Sequence, residues 1–317
     1  MNTRTKKLLR RAVTVFFLIA IPTLLYFLLR DLEWQEVKTA LQSYSWTTLL
    51  SGAGIAALSY AVLCSYDLLG RRYTKHSLST PTVLAVAYVC YSFNLNFGAW
   101  IGGIALRYRL YSKQGLSMST VTGILSISLL ANWLGYMLVA GTLFSFRLMS
   151  VPDSWYVSTL TLQIIGIGLL ATVAVYLLAC QFSRRRTWSW RDYRITLPSL
   201  TMALLQISLG VLNWCLMAAL IYILLPDEAF YPSVLAVLMV SSIAGIITHI
   251  PAGLGVLEAI FIALMRGEFP VSELLAALLA YRALYFLFPL TLGVIGYLIL
   301  ERRGATDDAE AGNSAAP

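Results

Sequence analysis

Residues 82–105 read TVLAVAYVCYSFNLNFGAWIGGIA, and the fold of the whole chain turns on whether they cross a membrane or turn back inside it. The run carries no charge and is long enough for a span, since about 20 residues cross the hydrocarbon core. Its middle, however, is Asn94-Leu95-Asn96-Phe97-Gly98, with Gly102-Gly103 close behind. Amides and glycines at this density suit a helix broken at membrane depth, where irregular backbone is tolerated only inside protein or along a wet cavity. Seven further apolar blocks flank the run: 12–29, 46–69, 121–146, 160–182, 200–225, 232–265 and 272–300. The chain is 59 % hydrophobic and 12 % charged, about half the roughly 25 % charge of a soluble domain. Nothing between the blocks is long enough to fold in water alone.

The basic residues decide how residues 82–105 run. Lys and Arg concentrate on the cytoplasmic side of a membrane protein. If every block crosses once, the clusters Arg107/Arg109/Lys113 and Arg184 to Arg194 fall outside, against that rule. If residues 82–105 enter and leave by the cytoplasmic face, eighteen of the 23 Lys and Arg are cytoplasmic. Only Arg30, Lys38, Arg147 and Arg266 then lie outside, and Arg282 stays in the membrane.

Block 232–265 has the same character from the other face. Apolar residues reach His249, then Ile250-Pro251-Ala252-Gly253-Leu254-Gly255 interrupts, and a second apolar stretch ends at Met265. Proline removes a backbone donor and glycine weakens helix continuation, so the block reads as two short segments that return to the outer face or as two thin spans, with the same parity either way. In each broken block a charged residue stands five positions after a glycine, Arg107 after Gly102 and Glu258 after Gly253. The expected fold is an all-α integral membrane protein of eight hydrophobic segments: six full spans plus two re-entrant hairpins, 82–105 and 232–265. Hairpins from opposite faces make an inverted repeat, with a binding site where their tips meet near the midplane. Both termini are expected in the cytoplasm, residues 1–303 as one polytopic membrane domain, and 304–317 as a small, polar, disordered tail. Residues 12–29 end without a small-residue cleavage site and read as a retained span. Residues 32–44 suit an interfacial helix on the outer face, and residues 183–194, with five arginines and Trp188, Trp190 and Tyr193, an inner-leaflet belt in contact with anionic headgroups.

Several function classes drop out. The net charge of +8 sits at the ends of apolar blocks, so no nucleic-acid groove is expected. The four cysteines fall inside apolar blocks without a CxxC pair, and no metal-ligand cluster, HExxH, GxSxG or P-loop occurs. No cofactor, no metal and no enzymatic activity are expected.

An ionisable group inside hydrocarbon costs roughly 2.5–3.5 kcal/mol on insertion scales, so each needs a reason. Glu258 lies one turn past the Pro251–Gly255 break, His249 just before it, and Arg107 after Gly102-Gly103. Arg282 lies about 15 Å into the last block at 1.5 Å per residue. One reading makes these a polar cavity that recognises a charged headgroup or carries a proton. The other makes Glu258 and Arg282 an ion pair that holds helices together. Asn94, Asn96, Gly253 and Gly255 would contribute amides and free backbone at the breaks. Asn132, Asn213 and Gln206 are equally explained as interhelical amides. Arg109 and Lys113 look like topology charges, and Asp67 is expected to pair with Arg71 or Arg72.

Gly102-Gly103-Ile104-Ala105-Leu106-Arg107-Tyr108-Arg109-Leu110 together with His249-Ile250-Pro251-Ala252-Gly253-Leu254-Gly255-Val256-Leu257-Glu258 resembles the flippase-like transmembrane region of lysylphosphatidylglycerol synthases. The stand-alone, YbhN-type members of Gram-negative inner membranes are most similar. The resemblance covers roughly residues 10–300. It implies a multi-pass protein of the bacterial cytoplasmic membrane that translocates phospholipid, anionic or modified in its headgroup. A soluble transferase domain is absent from this sequence, so aminoacylation is not expected. Two other roles remain open: a non-catalytic membrane partner of a phospholipid-synthesising enzyme, and an intramembrane transferase with Glu258 as general base.

Overall fold

The computed structural model describes residues 34–148, 158–183, 187–190, 193–226, 229–248 and 250–314. The first apolar block and His249 lie outside the described residues. A short helix, α1 (Trp34–Gln42), occupies the stretch expected to be interfacial, and α2 (Trp46–Thr74) follows. Residues 82–105 form the hairpin read from the charges. Its first arm is α3 (Thr80–Phe97); the second is a π-helical segment, Ala99–Ala105, continued by α4 (Leu106–Lys113). Then come α5 (Met118–Ser145) and α6 (Thr159–Phe182). Two short antiparallel strands, β1 (Thr187–Trp190) and β2 (Tyr193–Thr196), lie within the arginine-rich loop and its C-terminal edge, and lead to α7 (Leu200–Tyr222). The second hairpin is α8 (Tyr231–Thr248), a single 3-10 turn Pro251–Gly253, and α9 (Val256–Met265). The chain closes with α10 (Val271–Arg282), a π-helical segment Ala283–Leu287 and α11 (Phe288–Ser314), which carries helical backbone through most of the stretch read as a tail.

Six of the described helical runs are long and apolar enough to cross a membrane: Trp46–Thr74, Met118–Ser145, Thr159–Phe182, Leu200–Tyr222, Tyr231–Thr248 and Val271–Arg302. Five of these are spans expected from the sequence. Block 12–29 lies outside the described residues, and Tyr231–Thr248, expected as one arm of a hairpin, is itself 18 residues long. The second hairpin thus joins a full-length arm to a returning arm of 10 residues. Lipid as the surrounding solvent explains the surface. In α6 only 11 % of the most apolar window is buried, and Leu160, Ile164 and Val175 are 60–65 % exposed. A contiguous apolar face of that kind has no place in water.

The helix ends follow local chemistry. Ser79 caps α3 by accepting the Thr82 N–H, with Pro81 in the first turn where its missing donor costs nothing. The arm stops at Gly98, whose φ of +87° a side chain rarely adopts. From there the chain runs back against its own first arm. A Cβ built on Gly102 would stand 2.1 Å from Asn94 N and 2.2 Å from Phe93 C, so the two arms touch backbone to backbone. Further down, Val86, Val89 and Cys90 of α3 bury against Leu110 and Tyr111 of α4 and Val121 and Ile124 of α5. The second hairpin turns as tightly: Ala252, Gly253 and Gly255 have φ of +56°, +56° and +80°, and a Cβ on Gly245 of α8 would lie 3.8 Å from Gly253 Cα.

The stretch expected as one membrane domain packs as two compact units. One comprises Ala57–Gly135, Thr172–Asn213 and Leu284–Pro317 and holds the first hairpin. The other comprises Met1–Ala56, Tyr136–Ala171 and Trp214–Ala283 and holds the second. One hairpin per unit is the distribution an inverted repeat would have.

Two outcomes check this architecture. Lys75 and Lys113 bracket the first hairpin, so single cysteines at these positions in a cysteine-free background should react with a membrane-impermeant maleimide from the same side. Labelling from opposite sides would mean a single crossing. Gly102→Ala should lower stability by about 3 kcal/mol or more, because overpacking against backbone cannot be relieved by a rotamer change. Gly54→Ala, exposed and with nothing within 4 Å, should leave the thermal midpoint unchanged or slightly raised.

Candidate functional site

Among the described residues, each unit contains one buried arginine–carboxylate pair. In the first, Asp67 of α2 is fully buried (0 % exposed) and Arg107 of α4 is 3 % exposed. Arg107 Nη2 donates to Asp67 Oδ1 at 2.9 Å, Tyr111 OH to Oδ2 at 2.7 Å and Ser128 Oγ to Oδ1 at 3.0 Å, with Tyr91 OH farther off at 3.4 Å. Helical spacing explains why one carboxylate meets so many donors. Arg107 and Tyr111 are four residues apart and share a face of α4; Tyr91 comes from the opposing arm and Ser128 from α5. The Arg107 guanidinium also lies over the Tyr91 ring, 4.9 Å from its centroid. A carboxylate so far from water is tolerable only when paired and hydrogen-bonded. The cluster therefore pins both arms of the hairpin to α2 and α5.

This arrangement corrects the sequence expectation for Asp67. Arg71 Nη1 donates to Thr80 Oγ1 at 2.8 Å instead, and no described residue other than Arg107 forms an ion pair with Asp67. Arg107 is accordingly not a topology charge, whereas Arg109 and Lys113 behave as one expects of surface cations. Both donate to Glu301 Oε1 at 2.6 Å with partly exposed side chains, so Arg109 does not join the buried cluster. Asp67 was legible in one respect: an acid inside an apolar run needs a partner.

In the second unit, Glu258 and Arg282 are 7 % and 8 % exposed. Glu258 stands three residues after Gly255 in the first turn of α9, where a carboxylate faces the positive end of the helix. Its Oε2 accepts the Gly255 N–H at 2.9 Å, the half of a capping box that a glycine N-cap leaves available. Arg282, at the C-terminal end of α10, grips it with both prongs of the guanidinium. Nε donates to Oε1, and Nη2 donates to Oε2 at 3.0 Å. The same guanidinium donates from Nη1 to the Ala252 carbonyl at 3.1 Å and from Nη2 to the Gly253 carbonyl at 3.0 Å. The helix break frees those carbonyls, and Arg282 takes them up, so one side chain closes the turn and neutralises the acid beside it. The alternative reading of Glu258 and Arg282 as an ion pair is thus correct in geometry. The pair joins α9 to α10 at the helix break itself.

The remaining candidates divide. Gly253 and Gly255 form the positive-φ turn, and Pro251 contributes backbone to the same turn; its side chain lies outside the described residues. Gly102 and Gly103 make the close contact of the first hairpin, a Cβ on Gly103 falling 2.7 Å from Asn94 Oδ1. Asn96 Nδ2 donates to the Ser92 and Phe286 carbonyls at 2.8 and 3.1 Å, tying the first hairpin to the π-helical segment before α11. Asn213 is 2 % exposed and accepts from Ser59 Oγ at 2.7 Å, and Ser59 in turn bonds Tyr285 OH at 2.8 Å. That network is an interhelical polar contact, as is Gln206, which accepts from Tyr176 OH at 2.8 Å. Asn132 is half-buried on α5. Arg107 falls in one unit and Glu258 and Arg282 in the other, each with partners of its own. Sequence reasoning missed Tyr91, Tyr111 and Ser128, and assigned Asp67 the wrong partner.

The fold and its intramembrane ion pairs define a polytopic α-helical membrane protein built on two broken-helix hairpins. The chain matches the family described as the lysylphosphatidylglycerol synthase TM region over residues 12–293, and it belongs to that family. It is 46 % identical over 296 residues to the inner membrane protein YbhN of Escherichia coli K12, covering 93 % of each chain. It is 29 % identical over 262 residues to the Synechocystis protein slr0712, with 81 % of this chain and 80 % of that one covered. Together with the apolar helices, these relationships make it a multi-pass protein of a bacterial inner membrane.

A double-mutant cycle checks the ion pair in the first unit. Asp67→Asn and Arg107→Gln should each cost about 3–5 kcal/mol by stranding the partner's charge. The double variant should recover a substantial part of that loss, read as thermal midpoint in detergent. Strict additivity would show that the two side chains do not act as a pair.

Proposed function

We propose that this protein moves phospholipid, anionic or modified in its headgroup, between the leaflets of the bacterial inner membrane. The observation that carries the reading is the second hairpin. A helix broken in a membrane segment presents carbonyls, and a buried arginine holds them together with a carboxylate. Backbone of this kind persists in hydrocarbon only when protein or water satisfies it, and in transporters such breaks mark where substrate binds. A headgroup phosphate is a bidentate acceptor that suits a guanidinium as well as a carboxylate does. Exchange of Glu258 for phosphate on Arg282 would release the turn and couple headgroup binding to a movement of the hairpin. Membership of a family named for the membrane part of a lipid synthase supports the choice of lipid. No enzymatic step, cofactor or metal is part of the proposal.

The test is movement of headgroup-labelled phospholipids in proteoliposomes, with and without a proton gradient, using anionic, aminoacylated and zwitterionic lipids. Wild type should move the anionic or modified lipids. Arg282→Gln should reduce the rate at least tenfold, and Glu258→Gln should also impair it. Folded, monodisperse wild type that moves none of them overturns the proposal and favours a role as partner to a phospholipid-synthesising enzyme.

A further inference from the structure

A second polar feature lies away from either ion pair. In the unit that holds the first hairpin, a cavity of about 580 Å³ opens at the C-terminal end of α2. Its walls include Arg72 and Lys75, Ser119 and Thr120 of α5, and Ser199 and Thr201 around the start of α7, and among the described residues no carboxylate lines it. Arg72 and Lys75 are exposed, and among the described residues no acid pairs with either. Two helices begin at this cavity. The first backbone N–H groups of a helix have no acceptor within it and carry the positive end of its dipole. Side chains fill part of that demand: Thr120 N donates to Ser117 Oγ at 3.3 Å and Met202 N to Ser199 Oγ at 3.3 Å. The wall is also held in place, since Tyr73 OH donates to the Thr196 carbonyl at 2.8 Å and accepts the Thr196 N–H at 3.1 Å.

This charge is particular to the place. Another cavity, of about 780 Å³, is bordered by Glu36 and Glu273 and, among the described residues, by no lysine or arginine. Two unneutralised cations, a ring of hydroxyl donors and two helix N-termini around one hollow form a recognisable donor set. It suits an oxygen-rich anion of a phosphate's size and charge. The volume falls in the range of small-molecule sites. By the charge rule, Arg72 and Lys75 belong to the cytoplasmic side, level with the inner-leaflet headgroups.

We propose that this cavity binds the phosphate of an anionic phospholipid headgroup drawn from the inner leaflet. The inference rests on the lipid-transport reading and deepens it, naming the substrate class and the place where the headgroup first docks. A free phosphate ester presents the same chemistry, and the experiment separates the two sources.

The test is equilibrium binding to the purified full chain in detergent, followed by native mass spectrometry with phosphatidylglycerol and phosphatidylcholine in competition. Glycerol phosphate is added as a soluble competitor. Wild type should retain phosphatidylglycerol in preference to phosphatidylcholine. Arg72→Gln/Lys75→Gln should weaken that retention about tenfold or more, since each charged hydrogen bond contributes strongly, while Arg72→Lys/Lys75→Arg should keep it. The thermal midpoint of both variants should match wild type, because the altered side chains lie on the surface. Displacement by glycerol phosphate at comparable concentration assigns the site to the free ester, overturning the lipid source. Equal retention by the charge-neutral variant overturns the site altogether. Neither result requires transport to occur. A protein that binds phosphatidylglycerol here yet moves none fails only the transport proposal, and one that moves lipid while the charge-neutral variant binds unchanged fails only this one.

Discussion

Hydrocarbon offers no hydrogen bonds, and the two broken-helix hairpins of this protein answer to that constraint. Each hairpin interrupts its helix and so exposes backbone donors or acceptors. In the first, Gly102 lets the second arm lie directly on the backbone of the first. In the second, Arg282 reaches the two carbonyls that the turn leaves open. A hairpin in water could leave such groups to solvent. Here the neighbouring side chains must supply the partners, and the buried charges follow from that need.

The two ion pairs use the same chemistry with the roles exchanged. In one unit the acid, Asp67, stands on the flanking span and the arginine, Arg107, on the returning arm. In the other the acid, Glu258, stands on the returning arm and the arginine, Arg282, on the flanking helix. They also differ in what they hold. Asp67 collects donors from three other helices and fixes a hairpin against its surroundings, a role for which rigidity is an advantage. Arg282 shares its donors between a carboxylate and two backbone carbonyls. A buried pair is weak evidence for net stability.

Positive charge near the first unit is likewise of two kinds. Arg109 and Lys113 share one acid partner, Glu301, on partly exposed side chains. Arg72 and Lys75 have no acid partner among the described residues and border a hollow lined with hydroxyls. The sign of a topology count is the same for both kinds; only the neighbourhood tells them apart.

Much of this was legible in the sequence. Composition placed the chain in lipid, and the distribution of Lys and Arg required residues 82–105 to double back, because a single crossing would put two basic clusters on the wrong side. The Pro251–Gly255 interruption located the second turn, since those residues cannot continue a helix without loss. What the sequence could not decide was who meets whom. Asp67 and Arg107 are 40 residues apart, and proximity along the chain favoured Arg71 or Arg72 as the partner. Only the folded hairpin, with its arms in backbone contact, carries Arg107 back to the level of Asp67. The pairing of Glu258 with Arg282 could be named in advance as one of two alternatives, but not the additional grip on Ala252 and Gly253. Hydrophobic pattern and charge bias are averages over segments and determine placement in the bilayer. A hydrogen bond depends on tenths of an ångström between particular atoms, and tertiary packing alone sets those.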